Sequence, residues 1–352
     1  MSTEKSDRLP HAISLQSRIP NDAKGQSLLG YLARRFPYLD RAGWQAELND
    51  GRVALDDQQA SGYEQLQGGM RLRYQKLHRE PQVSLNFRVL HHDDSLLAVD
   101  KPAHLPMHAD GPFIRNTLIY RLREQFGDGL QLVHRLDRET SGICIVATNK
   151  AAQAAVQAQF AQASPPNGKN TANGKNPPND QNPTPPANHT KQLGTVRKSY
   201  LAVVHGLLQR PLRCEQAIGH ASNSIITLRR SAATDAKNTK PAATSFEPLR
   251  YGPNKTLLRC SPETGRTHQI RVHLEHAGYP IVGDKLYGHE DAHYLAFVAR
   301  MKAGESVFED TQDAPNRHLL HAHQIHLHHP TSGVEQCFEA PIPAEFERWL
   351  LS

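Results

Sequence analysis

The run His134-Arg135-Leu136-Asp137-Arg138-Glu139-Thr140-Ser141-Gly142 places one carboxylate, Asp137, between two arginines. Neighbouring positive charge favours the ionised form, so this spacing predicts an Asp that stays charged even when partly buried. An ionised Asp is a nucleophile. Directly after it stands Ile143-Cys144-Ile145-Val146-Ala147, an apolar, β-branched run that predicts a buried strand. Asp137 is therefore expected on a loop fixed by a core element, a placement that commonly carries chemistry. Taken alone, the same run also suits a surface turn with balanced charges.

A second run, Thr264-Gly265-Arg266-Thr267-His268-Gln269-Ile270-Arg271-Val272-His273-Leu274, predicts a short helix opened by Gly265, with Thr267 and Arg271 on one face. An arginine there is able to pair with the Asp137 loop. Histidines recur at His104 and His108, and again at His318, His321, His323, His326, His328 and His329. No Cys or carboxylate joins either group at a ligand-like spacing, so no metal is expected. Read as a strand, the later group splits, with His321 and His323 on one face and His326 and His328 on the other, in structural or RNA-facing roles.

The elements that must position these residues form an ordered series. Residues 18–76 read as a small separate module: Leu28, Leu29, Leu32 and Phe36 at helical spacing, a second helix over 39–48, then a turn and strand at Gly51 to Leu55. Strands follow at 87–90 and 96–99, and Lys101-Pro102 ends the second because proline cannot donate to a ladder. An amphipathic helix is predicted over 116–126 and an Ala- and Gln-rich one over 150–162. Residues 163–192 hold no side chain more apolar than Ala or Pro and predict a disordered, low-complexity insertion. An alternating strand is expected at 196–204, with others at 225–228, 257–260 and 336–338. Strands without regular helical crossovers predict an α+β fold around a mixed, mostly antiparallel central sheet.

The chain has 352 residues and 38% hydrophobic content, enough for a sizeable core. Its net charge of +6 is uneven: residues 195–273 hold 13 Lys and Arg against 4 Asp and Glu, a local +9, leaving −3 elsewhere. A basic middle segment suits a polyanion, nucleic acid first, although a solvated basic face has the same composition. Four well-separated cysteines predict reduced, buried thiols. Without a leader-like start or a membrane-length apolar run, a soluble cytoplasmic protein is expected.

The runs at 134–142 and 264–274, together with Lys198-Ser199-Tyr200-Leu201-Ala202, resemble the RluA family of pseudouridine synthases. Lys101-Pro102, the run Gly278 to Gly288 and Leu320-His321-Ala322 extend the likeness from about Phe87 to Leu351, within an expected catalytic domain of 85–352. The 18–76 module resembles the S4-type RNA-binding module, departing from it at Asp56-Asp57 and Gly68-Gly69. These resemblances imply isomerisation of uridine in RNA, with no cofactor. They make Asp137 the nucleophile on ribose or base, Arg271 its salt-bridge partner, Tyr200 the ring on the target base, and Arg135 the filler of the vacated space. His134, Lys198, Arg266 and His268 are the further RNA-contacting candidates. The S4-like module favours large-subunit (23S) ribosomal RNA over transfer RNA, acted on by a monomer away from membranes. A non-catalytic RNA-binding or ribosome-assembly protein is the alternative, and its signature would be loss of Asp137, Tyr200 or Arg271; all three are present.

Overall fold

The structure, a computed structural model, describes residues 11–162, 195–303, 305 and 308–352; the predicted insertion at 163–192 lies outside them. The chain divides at Glu80 and Pro81 into two compact units. Among the described residues no helix is long and apolar enough to cross a membrane.

The first unit packs helices Leu28–Arg35 and Arg41–Asn49 on a four-stranded sheet, ordered His11–Arg18, Arg71–His78, Val53–Leu55, Gln58–Gln59. Ser27 and Asp40 cap the two helices through their side-chain oxygens. Leu28, Leu32, Trp44, Leu48, Val53 and Leu66 form the buried centre. The unit begins earlier than the 18–76 span because His11–Arg18 pairs along its whole length with Arg71–His78. Most of that strand is exposed, so it lacks the apolar alternation that announces a strand. Asp56 and Asp57 both take positive φ, 45° and 69°, the backbone a two-residue hairpin turn needs. Asp57 pairs with Arg71 and Arg73 on the adjoining strand.

The second unit is built on a ten-stranded sheet, matching the mixed α+β expectation. Its main path runs Leu212–Cys214, Thr244–Tyr251, Lys255–Pro262, Arg197–His205, Leu320–His328, Ser141–Ala147, Leu96–Lys101, Arg88–His92. Its pairings are antiparallel except that Leu320–His328 runs parallel to Ser141–Ala147. Every residue of Ser141–Ala147 is buried, as its apolar sequence requires. Gly142, at φ 107°, is needed where the parallel strands meet, since a Cβ there would come within 2.1 Å of the Ala322 carbonyl oxygen.

Several local expectations are corrected. Residues 225–228 form turns, with Ile225 78% exposed, because only Ile226 reaches the interior. A small sheet of Arg230–Ser231, Ile218–His220 and Lys237–Lys240 lies around them. The strand Arg197–His205 does not alternate throughout: Leu201 to Val204 are all buried, because a core cluster covers that half of the strand and sheet neighbours lie on both edges. Cys337 is exposed, unlike the other three cysteines, because its strand Glu335–Glu339 keeps only Phe338 buried.

Candidate active site

Asp137 sits in the turn just before the buried strand Ser141–Ala147. The turn is held from below by Lys101, fully buried at the end of strand Leu96–Lys101, whose ammonium donates to the carbonyls of Pro102 (2.8 Å), Leu105 (3.0 Å) and Arg138 (3.2 Å). Burial pushes the Lys101 pKa down to about 7, while three carbonyl acceptors favour its charged form.

The helix carrying Arg271 is Gln269–His276, four residues later than Gly265. His268 is the reason: at φ 57°, ψ 20° it leaves the helical path. The loop before it is organised by Gln269, whose Oε1 accepts from the Arg266 amide (3.0 Å) and Thr264 hydroxyl (2.6 Å), while its amide donates to the Ala243 carbonyl (2.9 Å). Thr267 therefore stands in the loop rather than on the helix face.

Arg271 joins two carboxylates. Its Nε and one Nη form a fork on Asp284, at 2.6 and 2.8 Å, and its other Nη donates to Asp137 Oδ2 at 2.8 Å. Asp284 is fully buried as a side chain and also accepts the Leu286 and Tyr287 amides at 2.9 and 3.0 Å. The guanidinium carbon lies 4.8 Å from the Tyr287 ring centre. Burial by itself raises the Asp137 pKa, but its electrostatic interactions, with His268 and Arg271 foremost, hold it well below the carboxylate range. Burial depresses His268 to about 4, so near neutrality its imidazole is uncharged and Arg271 is the acting charge. Asp137 is thus an anion held through Oδ2 by Arg271, while His268 Nε2 lies 3.9 Å from its Oδ1, beyond hydrogen-bond length.

All eight sequence-derived site residues line one cavity of about 800 Å³. Tyr200 enters from strand Arg197–His205, packed against both of the sheet's core clusters, and burial raises its hydroxyl pKa. Lys198, on the same strand, donates to the Thr264 carbonyl at 3.3 Å, and burial pushes it down to about 8. Arg135 is exposed at the mouth, 3.2 Å from His108 Nε2. Arg266 is anchored through Nε to the Pro241 carbonyl at 2.9 Å.

His134 lines the cavity but is also braced from within. Its Nε2 accepts the Ile145 amide at 2.9 Å and its ring lies against Phe160, which fixes it as an internal brace of the Asp137 loop. Glu139, the other carboxylate in the run, is buried against Arg138 (3.0 Å), Lys285 (3.6 Å) and the His318 amide (3.3 Å). These partners commit it to an internal network. Asp284 and Tyr287 were missed as parts of the site, although both stand in the Gly278 to Gly288 run. The one signal was a lone Asp in a loop rich in glycine and proline. Among the described residues no group of three or more His, Cys, Asp or Glu is placed to hold a metal.

A mixed sheet thus brings one arginine-bound carboxylate to the floor of a cavity with aromatic and cationic walls. The family model described as RNA pseudouridylate synthase matches residues 95–170 and 187–276. The chain is 29% identical over 342 residues to the ribosomal large subunit pseudouridine synthase D of Nitrosomonas europaea, covering 94% of this chain and 85% of that one. It is 28% identical to the enzyme of the same name from Pseudomonas aeruginosa, over 97% and 95% of the two chains. The solved human RNA pseudouridylate synthase domain containing 1 superposes with a TM-score of 0.51 at 26% identity, covering 74% of this chain and 86% of that one. The chain belongs to the RluA family of RNA pseudouridine synthases.

Proposed function

We propose that this enzyme isomerises uridine in large-subunit (23S) ribosomal RNA, with Asp137 as the nucleophile. The contact that carries the reading is the 2.8 Å Arg271–Asp137 pair, which keeps a carboxylate ionised on the cavity floor. Attack at C1′ or at C6 of the uridine needs such an anion. The N1–C1′ bond then breaks, the uracil turns, C5 bonds to C1′, the bond from Asp137 to C1′ or C6 breaks with its electron pair returning to the carboxylate, and C5 loses a proton as N1 gains one. No group leaves the RNA, and no cofactor is called for.

A base within a duplex presents neither carbon to a carboxylate, so the uridine must be flipped out. Tyr200 gives the flipped ring an aromatic face, and Arg135 fills the vacated space in the stack. Each offsets part of the unstacking cost, roughly 1–3 kcal/mol per base. Lys198 and Arg266 contact the RNA near the mouth.

The unit ending at Glu80 acts as an S4-like RNA-binding module; two capped helices on a small sheet support that assignment. The catalytic domain spans 85–352. Added phosphate contacts from a second module suit a large folded RNA, and the relatives named for the large subunit point the same way. The enzyme works as a monomer in the cytoplasm, away from membranes. The test is to map pseudouridines chemically across ribosomal and transfer RNA from parent and gene-deletion cells. Loss of one or more 23S sites is expected. Loss of a transfer-RNA site with every 23S site retained would reject the ribosomal assignment.

A further inference from the structure

His268 holds an unusual position for a residue that the Asp137–Arg271 pair does not require. It is a non-glycine residue at φ 57°, and its side chain is 8% exposed. Such strained backbone persists where the surroundings over-determine it and clusters at functional sites. The ring is clamped on one side: His268 Nδ1 is 2.8 Å from Tyr287 Oη. Tyr287 Oη accepts the Arg230 amide at 3.1 Å, and among the described contacts the acceptor left for its own proton is His268 Nδ1. The other nitrogen, Nε2, therefore carries the imidazole proton. That nitrogen is 3.9 Å from Asp137 Oδ1, the oxygen Arg271 does not hold.

We propose that His268 is a positioning residue that donates from Nε2 to Asp137 Oδ1 during turnover, with Tyr287 fixing the tautomer. The idea rests on Asp137 being the nucleophile. When the bond from Asp137 to the substrate breaks, its electron pair returns to the carboxylate oxygen and negative charge reappears there. A donor already aimed at that oxygen stabilises the departing anion without transferring a proton. The gap must close by about 1 Å to reach ordinary hydrogen-bond length. At rest the longer distance leaves Oδ1 free to attack. Arg271 supplies the standing charge, and the neutral imidazole supplies the neutral donor.

The test compares His268→Gln with His268→Met. Both carry the same backbone strain and nearly the same volume, but only Gln keeps an N–H in the place of Nε2. Rates are measured on total RNA from a strain lacking the gene, with Asp137→Asn as control. The Met variant should lose at least about tenfold more kcat than Gln, the scale of one hydrogen bond to a charged group, with KM and melting temperature alike. Equal rates for Met and Gln would overturn the proposal. Should neither variant fold, Tyr287→Phe keeps the imidazole and removes its clamp; it should lower kcat at unchanged KM, and an unaltered kcat would overturn the proposal. A still-active Asp137→Asn enzyme would instead reject the nucleophile on which the idea stands.

Discussion

Arg271 is the side chain through which charge is distributed in the site, because its planar fork faces Asp284 while its remaining nitrogen reaches Asp137. Lysine offers a point charge and cannot hold both at these angles. Arg271→Lys should lower turnover by about tenfold or more at little change in RNA affinity, since breaking a buried charge pair typically costs ~3–5 kcal/mol and Lys keeps part of the charge. A Lys variant as active as the parent, read by single-turnover assay, would move the pairing role elsewhere. Asp284→Asn removes the buried countercharge and leaves Arg271 undercompensated, which should destabilise the fold by about 3–5 kcal/mol. Chemical denaturation of the purified variant checks this; an unchanged midpoint would show that Asp137 alone suffices. Asp284 illustrates what sequence could not deliver. Its partner lies 13 residues away on a helix whose start depends on the αL backbone of His268, and neither fact has a local signature.

At the scale of elements, the parallel contact between Leu320–His328 and Ser141–Ala147 sets the height of the Asp137 turn in the sheet. Gly142→Ala would put a methyl group against the Ala322 backbone at a position where φ is 107°. The expected outcome is a large loss of stability, on the order of 3 kcal/mol or more, with activity falling in the soluble fraction. A variant that melts like the parent would show that the register can shift. Strands with strong apolar runs, such as those at 143–147 and 257–260, were legible because burial on both faces leaves a composition signal. The edge strand His11–Arg18 and the exposed strand Lys237–Lys240 were not, since neither buries a row of side chains. Residues 225–228 misled in the opposite sense: two isoleucines and a leucine looked like a strand, yet two of the three remain exposed. Within the site, motif residues converged on one cavity, while the His134 bond to the Ile145 amide was hidden because sequence does not say which way a ring turns.

For the whole molecule, the number of buried neutral histidines sets the acid side of the stability curve. Burial holds His134, His318 and His321 at about 3 and His268 at about 4 in the fold. Unfolded, each titrates near its ordinary ~6.5, so between those values the unfolded chain binds more protons. Stability contributed by these groups is therefore complete above ~6.5 and is lost as pH falls below it, by up to about 1.4 kcal/mol per pH unit for each. The urea midpoint should drop markedly from pH 7.5 to pH 5; equal midpoints would mean the rings are solvated. The charge asymmetry read from sequence belongs to this scale too, with a local +9 over 195–273 that includes Lys198, Arg266 and Arg271 of the cavity wall. The reaction proposed here starts at one carboxylate, Asp137. The direct measurement is conversion of uridine to pseudouridine in total RNA from the deletion strain, by the purified enzyme and by its Asp137→Asn variant. The parent should convert its sites, and the variant, nearly isosteric but without the anion, should bind RNA equally well and convert none. Measurable turnover by Asp137→Asn would contradict the assignment of Asp137 as the nucleophile.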